Sequence, residues 1–182
     1  MNDIYIVSGS RTPMGAFQGS LSTMSAVDLG AAAISETINR AGIAPDSVDE
    51  VIMGNVLSAG LRQGPARQAA MDAGIPVGIG ATTINKLCGS GMKATMLSHD
   101  LIAAGTNDVM VAGGMESMTN APYLIAKARG GMRMGHGEIQ DSCSLMVLKM
   151  RNLADPWVNL LRRWQTSINS LVRTWTTMRS RH

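Results

Sequence analysis

The 182-residue sequence has only two cysteines, Cys88 and Cys143. Two cysteines do not make a disulfide framework, and this usage is typical of proteins from a reducing compartment. The chain has no pair of Cys-x-x-Cys units, and its three histidines stand far apart, at His99, His136 and His182. We therefore expect no metal site.

Long apolar runs are also absent. No stretch of the sequence approaches the roughly 20 apolar residues that a membrane-spanning helix needs. The N-terminus lacks a basic region followed by an apolar secretory core. We expect a cytoplasmic protein, with an organelle matrix as the alternative, and no membrane partner.

Charge and glycine are distributed unevenly, and the distribution changes near Ser142. Residues 1–142 contain 9 Lys and Arg against 12 Asp and Glu, whereas residues 143–182 contain 7 against 1. All 20 glycines lie in the first part, and all three tryptophans lie in the second. Such a break marks either a domain boundary or a change in how the gene is read.

Strand-like and helix-like segments alternate along residues 1–142. The patterns predict strands over 3–8, 49–57, 79–87 and 108–112, and helices over 25–40, 65–73 and 89–104. Ser25 is a suitable N-cap for the first helix, and Gly42 lies just past its end. This alternation predicts an α/β fold, with a mostly parallel sheet and helices on both faces.

The stretch from Asn85 to Ala94 reads Asn-Lys-Leu-Cys-Gly-Ser-Gly-Met-Lys-Ala. It places Cys88 at a predicted strand-to-helix turn. The first amide groups of a helix have no internal partners and favour a negative charge, so this position favours a thiolate. A thiolate is the nucleophile in acyl transfer, and Gly89 and Gly91 leave room for a thioester carbonyl to approach the backbone. The alternative is a small buried core cysteine beside packing glycines.

The surrounding residues favour the nucleophile, because Asn85 to Ala94 resembles the nucleophile segment of the thiolases, the acetyl-CoA acetyltransferase family. Three further parts of the sequence agree with that family in order and spacing. They are Ile6 to Gly15, which resembles the N-terminal strand and turn; Gly54 to Leu57 with Gly64 to Gln68, which resemble the second strand and the following helix start; and Ala112 to Met118, which resembles the loop after the nucleophile helix. The resemblance covers residues 1 to about 142.

The resemblance implies a thiolase-like N-terminal half and a thiolase-type acyltransferase. The implied reaction is acyl transfer between CoA thioesters, with formation or cleavage of acetoacetyl-CoA. Cys88 is the implied catalytic residue, and acetyl-CoA or another acyl-CoA is the implied substrate. No metal or redox cofactor is implied, the cofactor-binding residues stay unassigned, and intact family members are expected to be homo-oligomers.

The resemblance also implies that some of the catalytic machinery is missing. The second half of the family supplies a histidine and a second cysteine, and neither has a counterpart in this sequence, since Cys143 matches no family motif. We therefore expect a truncated form that is inactive alone. The alternative is a non-catalytic subunit that associates with full-length thiolase or is unstable.

Residues 121–142 are less regular, with three basic residues interleaved with glycines. A glycine-rich basic loop can cradle phosphate, but this one lacks a strand-loop-helix setting, so we favour a solvated loop with His136 on its surface. By resemblance, it is the start of the loop region that covers the substrate.

Residues 143–182 form a basic tail, which we interpret as aberrant and not a native domain. The alternative is a basic helix that binds nucleic acid or a membrane, but Pro156 interrupts it and its apolar residues keep no clean period. Tryptophan and methionine each have one codon, so the nucleotides at those positions are known. The sequence itself can therefore test whether the tail is a gene segment translated one nucleotide out of register. In the shifted reading frame, the codon that spans Met146-Val147 and the codon that spans Trp157-Val158 both encode glycine. The codon that spans Trp175-Thr176 encodes aspartate. All three agree with a thiolase continuation. We expect no nucleic-acid partner.

The first prediction concerns the gene. Restoring one base next to the Ser142 codon should open a long reading frame that includes a late histidine motif and a second cysteine. Sequencing the nucleotides downstream of Ser142 checks this, and a stop codon soon after the restored base would contradict the frameshift.

Overall fold

The computed structural model describes residues 3–148, and within them it has three α-helices and five strands. The helices are α1 Ala26–Ala41, α2 Pro65–Asp72 and α3 Ser90–Ala103, and the strands are β1 Glu50–Gly54, β2 Gly80–Ile84, β3 Met110–Gly114, β4 Tyr123–Leu124 and β5 Gln140–Asp141. Short 3-10 helices span Pro45–Ser47 and Ala128–Gly130, and a π-helical segment spans Ser144–Leu148. Within this part of the chain, no helix has the length and apolar character to cross a bilayer.

The chain divides by its internal contacts into two units, Met1–Ser142 and Cys143–His182. Most of the second unit lies outside the described residues. The interpretation of residues 143–182 as an aberrant tail therefore stays a prediction.

The main sheet has the order β2-β1-β3, and all three strands are parallel. Val51 in the central strand stands opposite Ala81 on one side and Val111 on the other. Parallel neighbours need a crossover connection, and α2 and α3 lie in the two crossovers, between β1 and β2 and between β2 and β3. The strands β4 and β5 form a separate antiparallel pair.

The centre of the core is β1, which is covered on both faces. Val51, Ile52 and Met53 are no more than 2% exposed. Val51 and Met53 belong to the apolar cluster built by α1 and α2, while Gly54 lies against the first turn of α3. Alternate residues of a strand point to opposite faces, so helices cover both faces of the sheet. The predicted α/β fold is confirmed.

The structure also confirms the predicted residues at the two ends of α1. Ser25 caps the helix: its hydroxyl accepts from the Asp28 amide at 3.1 Å, and its own amide donates to the Asp28 carboxylate at 2.8 Å. The Ser25 hydroxyl also lies 2.7 Å from the Asp28 carboxylate as a donor, and this bond, together with the one from the Ser25 amide, holds the pKa of Asp28 below its usual value. At the other end, Gly42 takes the left-handed conformation, with φ of +67°.

The predicted strand over 3–8 is wrong. The structure gives these residues no strand, and the side chains of Ile6 and Val7 are 89% and 75% exposed. An alternating apolar pattern makes a strand only where another strand supplies the hydrogen bonds. Within residues 3–148 no strand pairs with this segment, which is attached instead by the bond from Arg40 Nη1 to the Gly9 carbonyl at 3.2 Å.

Two other predicted strands are shorter than expected. β1 and β2 end at Gly54 and Ile84, three residues before the predicted ends. In the loops after both strands, backbone amides donate to side-chain oxygens. The Leu87 amide, for example, donates to Asn85 Oδ1 at 3.0 Å. Side-chain acceptors of this kind compete with the sheet for backbone donors. Both loops lie at the carboxyl edge of the sheet.

The loop after β1 is held by the carboxylate of Glu116, which follows β3. The amides of Val56 and Leu57 donate to its two oxygens at 2.8 and 3.0 Å, and Asn55 Nδ2 donates at 2.9 Å. Burial raises the pKa of Glu116, against the opposing effect of the two backbone N–H groups. Asn55 also donates to the Met115 carbonyl at 3.0 Å, so hydrogen bonds join the loop after β1 to the loop after β3.

The second prediction is that Glu116→Gln destabilises the fold at neutral pH by about 1–3 kcal/mol, the cost of a poorly paired buried polar group. An amide at this position turns one acceptor into a donor that faces the Val56 N–H. Urea denaturation measures the effect. The control is Glu36→Gln, which removes the exposed pair with Arg40 and should cost less than about 0.5 kcal/mol. Equal losses of stability in the two variants would contradict the stabilising role of the Glu116 carboxylate in the loop after β1.

Candidate active site

Cys88 lies in the connection between β2 and α3, and its side chain is exposed. The helix begins two residues later at Ser90, with Gly89 as the N-cap, and no side chain caps this end. The free amide groups of a helix N-terminus favour a negative charge nearby. The structure therefore places Cys88 at the predicted turn, and an exposed side chain is not the buried core cysteine of the alternative.

The residue before Cys88 has an uncommon backbone conformation. Leu87 has φ of +50°, in the left-handed region that costs a residue with a Cβ about 1–2 kcal/mol. The side chain of Leu87 is 42% exposed, so burial offers little compensation. Hydrogen bonds hold it instead: its amide donates to Asn85 Oδ1 at 3.0 Å, and its carbonyl accepts from the Ser90 hydroxyl at 2.5 Å.

The first turn of α3 lies directly against the sheet. A Cβ added to Gly54, the last residue of β1, would come within 2.6 Å of the backbone carbon of Ser90 and 2.7 Å of the Gly91 nitrogen. A Cβ added to Gly91 would meet the backbone of Gly113 and Gly114 at 3.7 Å, which is an ordinary van der Waals contact. The close approach of helix and sheet therefore depends on Gly54, and the role of Gly91 beside a thioester stays a prediction.

The carboxyl edge of the sheet brings three parts of the chain together. The Asn55 amide donates to the carbonyl of Ile84, the last residue of β2, at 3.0 Å. The loop that begins with Asn55 thus adjoins the strand that leads to Cys88, and the same loop is bound to Glu116. In parallel α/β sheets, ligand sites form at this edge.

The histidines take no part in this arrangement. His99 is exposed on α3 and pairs with Asp100 at 3.3 Å, and His136 lies exposed in the loop between β4 and β5. In the described part of the chain, no hydrogen bond joins the Cys88 thiol to a histidine or a carboxylate. Cys143 is buried. Residues 3–148 also contain no group of three His, Cys, Asp or Glu side chains arranged to hold a metal ion.

Sequence reasoning found Cys88 but missed the residues that set its geometry. Ser90, Asn85 and Glu116 all lie in the segments that carried the family resemblance, yet their individual roles were not predicted. A polar residue directly after a buried strand, as Asn55 is, was the available signal for the loop after β1.

A comparison with family models matches residues 4–155 to the thiolase N-terminal domain. Acetyl-CoA acetyltransferase 2 of Arabidopsis thaliana is 55% identical over 139 residues, which are 76% of this chain and 34% of that protein. Acetyl-CoA acetyltransferase of Pseudomonas aeruginosa is 51% identical over 142 residues, 78% of this chain and 36% of that protein. The chain thus spans about a third of the length of these curated relatives.

A solved structure gives the same result for the fold. The Acat5 thiolase from Ascaris suum, determined in complex with coenzyme A, superposes with a TM-score of 0.81 at 39% identity and covers 85% of this chain and 40% of that one. Sequence and fold agree, and the chain belongs to the thiolase family through its N-terminal domain.

Proposed function

We propose that this chain carries the nucleophile of a thiolase-type acyltransferase, and that Cys88 is that nucleophile. The observation that supports this most is the exposed Cys88 thiol at the uncapped N-terminus of α3, in a chain of the thiolase family. The relatives are acetyl-CoA acetyltransferases, and one solved relative was determined with coenzyme A. We extend both properties to this chain as the proposed substrate class, CoA thioesters.

In the first step, the Cys88 thiolate attacks the carbonyl carbon of acetyl-CoA. A tetrahedral oxyanion forms, the bond to the CoA sulfur breaks, and CoA leaves as a thiolate that takes up a proton. The product is an acetyl thioester on Cys88. The Gly89 and Ser90 amides donate within the turn, so the amides further along the first turn of α3 are the ones suited to stabilise the oxyanion, because they are fixed in place before the reaction.

The second step transfers the acetyl group from Cys88 to its acceptor. In the synthetic direction, the α-carbon of a second acetyl-CoA loses a proton and attacks the acetyl group, so that acetoacetyl-CoA leaves and the Cys88 thiolate returns. In the degradative direction, CoA takes the acetyl group from Cys88. A base must take the α-proton at about 3 Å from it. Residues 3–148 place no histidine or carboxylate in hydrogen-bonding contact with Cys88, so this chain is proposed to perform the first step and not the complete cycle alone.

A second candidate function is association with another thiolase chain, and the exposed apolar side chains favour it. Ile6 and Val7 are exposed in a segment whose sequence is suited to a strand, and Met92 on α3 is 75% exposed. Apolar surface of this kind drives association or aggregation. On this proposal, the chain is a subunit that joins a full-length thiolase or a second copy of itself, in the cytoplasm or an organelle matrix.

The third prediction is that acetyl-CoA acetylates the chain at one site, with release of one equivalent of CoA. Cys88→Ser should abolish rapid CoA release, because a serine hydroxyl is far less nucleophilic than a thiolate at neutral pH. Quantifying CoA by chromatography against protein concentration measures the stoichiometry. Cys143→Ser is the matched control, since Cys143 is buried, and it should release CoA as the wild type does. Equal release by Cys88→Ser and the wild type would contradict the assignment.

The fourth prediction is that the isolated chain does not turn over acetoacetyl-CoA and CoA repeatedly. Groups that act together in catalysis cost many powers of ten when one is missing. Product formed per chain, followed over several hours, should stay at or below one equivalent. Sustained turnover that Cys88→Ser abolishes would confirm the nucleophile and contradict the proposed division of the reaction.

A further inference from the structure

The hydroxyl of Ser90 binds the two residues that precede Cys88. It accepts a hydrogen bond from the Lys86 amide at 2.8 Å and donates one to the Leu87 carbonyl at 2.5 Å. The backbone closes the same turn, since the Gly89 amide donates to the Lys86 carbonyl at 3.1 Å. Hydrogen bonds therefore hold the residues before and after Cys88, while the side chain of Cys88 itself is exposed.

The turn needs such support because Leu87 is in the left-handed conformation, at φ of +50°. A leucine takes this conformation only where surrounding contacts impose it. Its exposed side chain contributes little, so the turn depends on hydrogen bonds: Asn85 Oδ1 accepts from the Leu87 amide, and both the hydroxyl and the amide of Ser90 donate to the Leu87 carbonyl. If Leu87 relaxed, the direction in which Cys88 leaves the strand would change.

Burial alone does not explain Ser90. Ser98 lies on the same helix and is equally buried, with 5% of its surface exposed, yet among the described residues its hydroxyl has no hydrogen-bond partner. Ser90 also packs against Gly54, where an added Cβ would come within 2.6 Å of the Ser90 Cβ. Alanine would keep the Cβ of this contact, but it would leave the Lys86 amide without its acceptor. The hydroxyl is therefore what the turn uses.

We infer that Ser90 is a positioning residue: its buried hydroxyl holds Leu87 in the left-handed conformation and so fixes the Cys88 thiol at the N-terminus of α3. This inference rests on the proposed function of Cys88. Ser90 does not contact the reacting atoms in this account and acts only through the turn.

The test compares Ser90→Ala with Ser98→Ala in the full chain, with the fold of each variant checked by circular dichroism. Single-turnover acetylation over a range of acetyl-CoA concentrations separates binding from the maximal rate. Ser90→Ala should lower the maximal rate at least about tenfold and leave the half-saturating concentration unchanged, because a misplaced nucleophile costs rate rather than affinity. Ser98→Ala should change neither. Equal behaviour of the two folded variants would overturn the inference.

A second comparison separates positioning from packing. Glycine adopts a positive φ without strain, so in a Leu87→Gly background the loss caused by Ser90→Ala should shrink to about threefold or less. A loss of the same size in both backgrounds would overturn the inference. If Ser90→Ala does not fold, Asn85→Ala removes the acceptor of the Leu87 amide from an exposed position and should lower the maximal rate in the same direction. No change in Asn85→Ala would then overturn it.

Iodoacetamide keeps this test independent of the proposed function. It alkylates Cys88 without a CoA site, and at pH 7 Ser90→Ala should slow that reaction about threefold, since the thiol leaves the helix N-terminus. A wild type that resists acetyl-CoA but shows this difference would contradict the acyl-transfer proposal and support the role of Ser90. Equal alkylation of Ser90→Ala and Ser98→Ala would count against Ser90 whatever acetyl-CoA does.

Discussion

The contact between the first turn of α3 and the end of β1 is the constraint on which the rest of the site depends. Gly54 has no side chain, and any Cβ there would collide with the backbone of Ser90 and Gly91. Because the helix can lie this close, its N-terminus comes to the carboxyl edge of the sheet, where Cys88 is exposed. A bulkier residue at position 54 would move the helix, and the thiol would move with it.

The same edge shows how a chain is held where a sheet ends. The strands end at Gly54 and Ile84, and after one more backbone hydrogen bond, from the Asn55 amide to the Ile84 carbonyl, side chains accept from the amides of the two loops. Glu116 does so for the loop after β1, and Ser90 does so for the turn before Cys88. Glu116 lies 60 residues from Val56, so tertiary structure fixes the loop after β1, whereas Ser90 lies four residues from Lys86 and fixes the turn locally. Such fixed loops at the end of a rigid sheet are suited to hold reacting groups.

Much of the fold could be predicted from the sequence, because local signals determine it. The cap at Ser25, the glycine after α1 and the alternation of strands and helices are properties of neighbouring residues, and the structure has all of them. The strand predicted over 3–8 was wrong because its existence depends on a pairing partner elsewhere. An apolar pattern shows only that a segment is suited to a strand.

The site was predictable in part, for a related reason. The position of Cys88 before a helix follows from local pattern. The positive φ of Leu87 does not, because leucine rarely takes that conformation and here the hydrogen bonds of the turn hold it. The three hydrogen bonds to Glu116 join residues about 60 positions apart, and no local signal reports them.

The central claim is that Cys88 accepts an acyl group, and the most direct test locates that group. The chain is incubated with acetyl-CoA and digested at acidic pH, which preserves thioesters, and the peptides are sequenced by tandem mass spectrometry. The account predicts one acetyl group, attached to Cys88 and removable by hydroxylamine, as a thioester is. An acetyl group on Lys86 or Lys93 that hydroxylamine does not remove, with Cys88 unmodified, would contradict it.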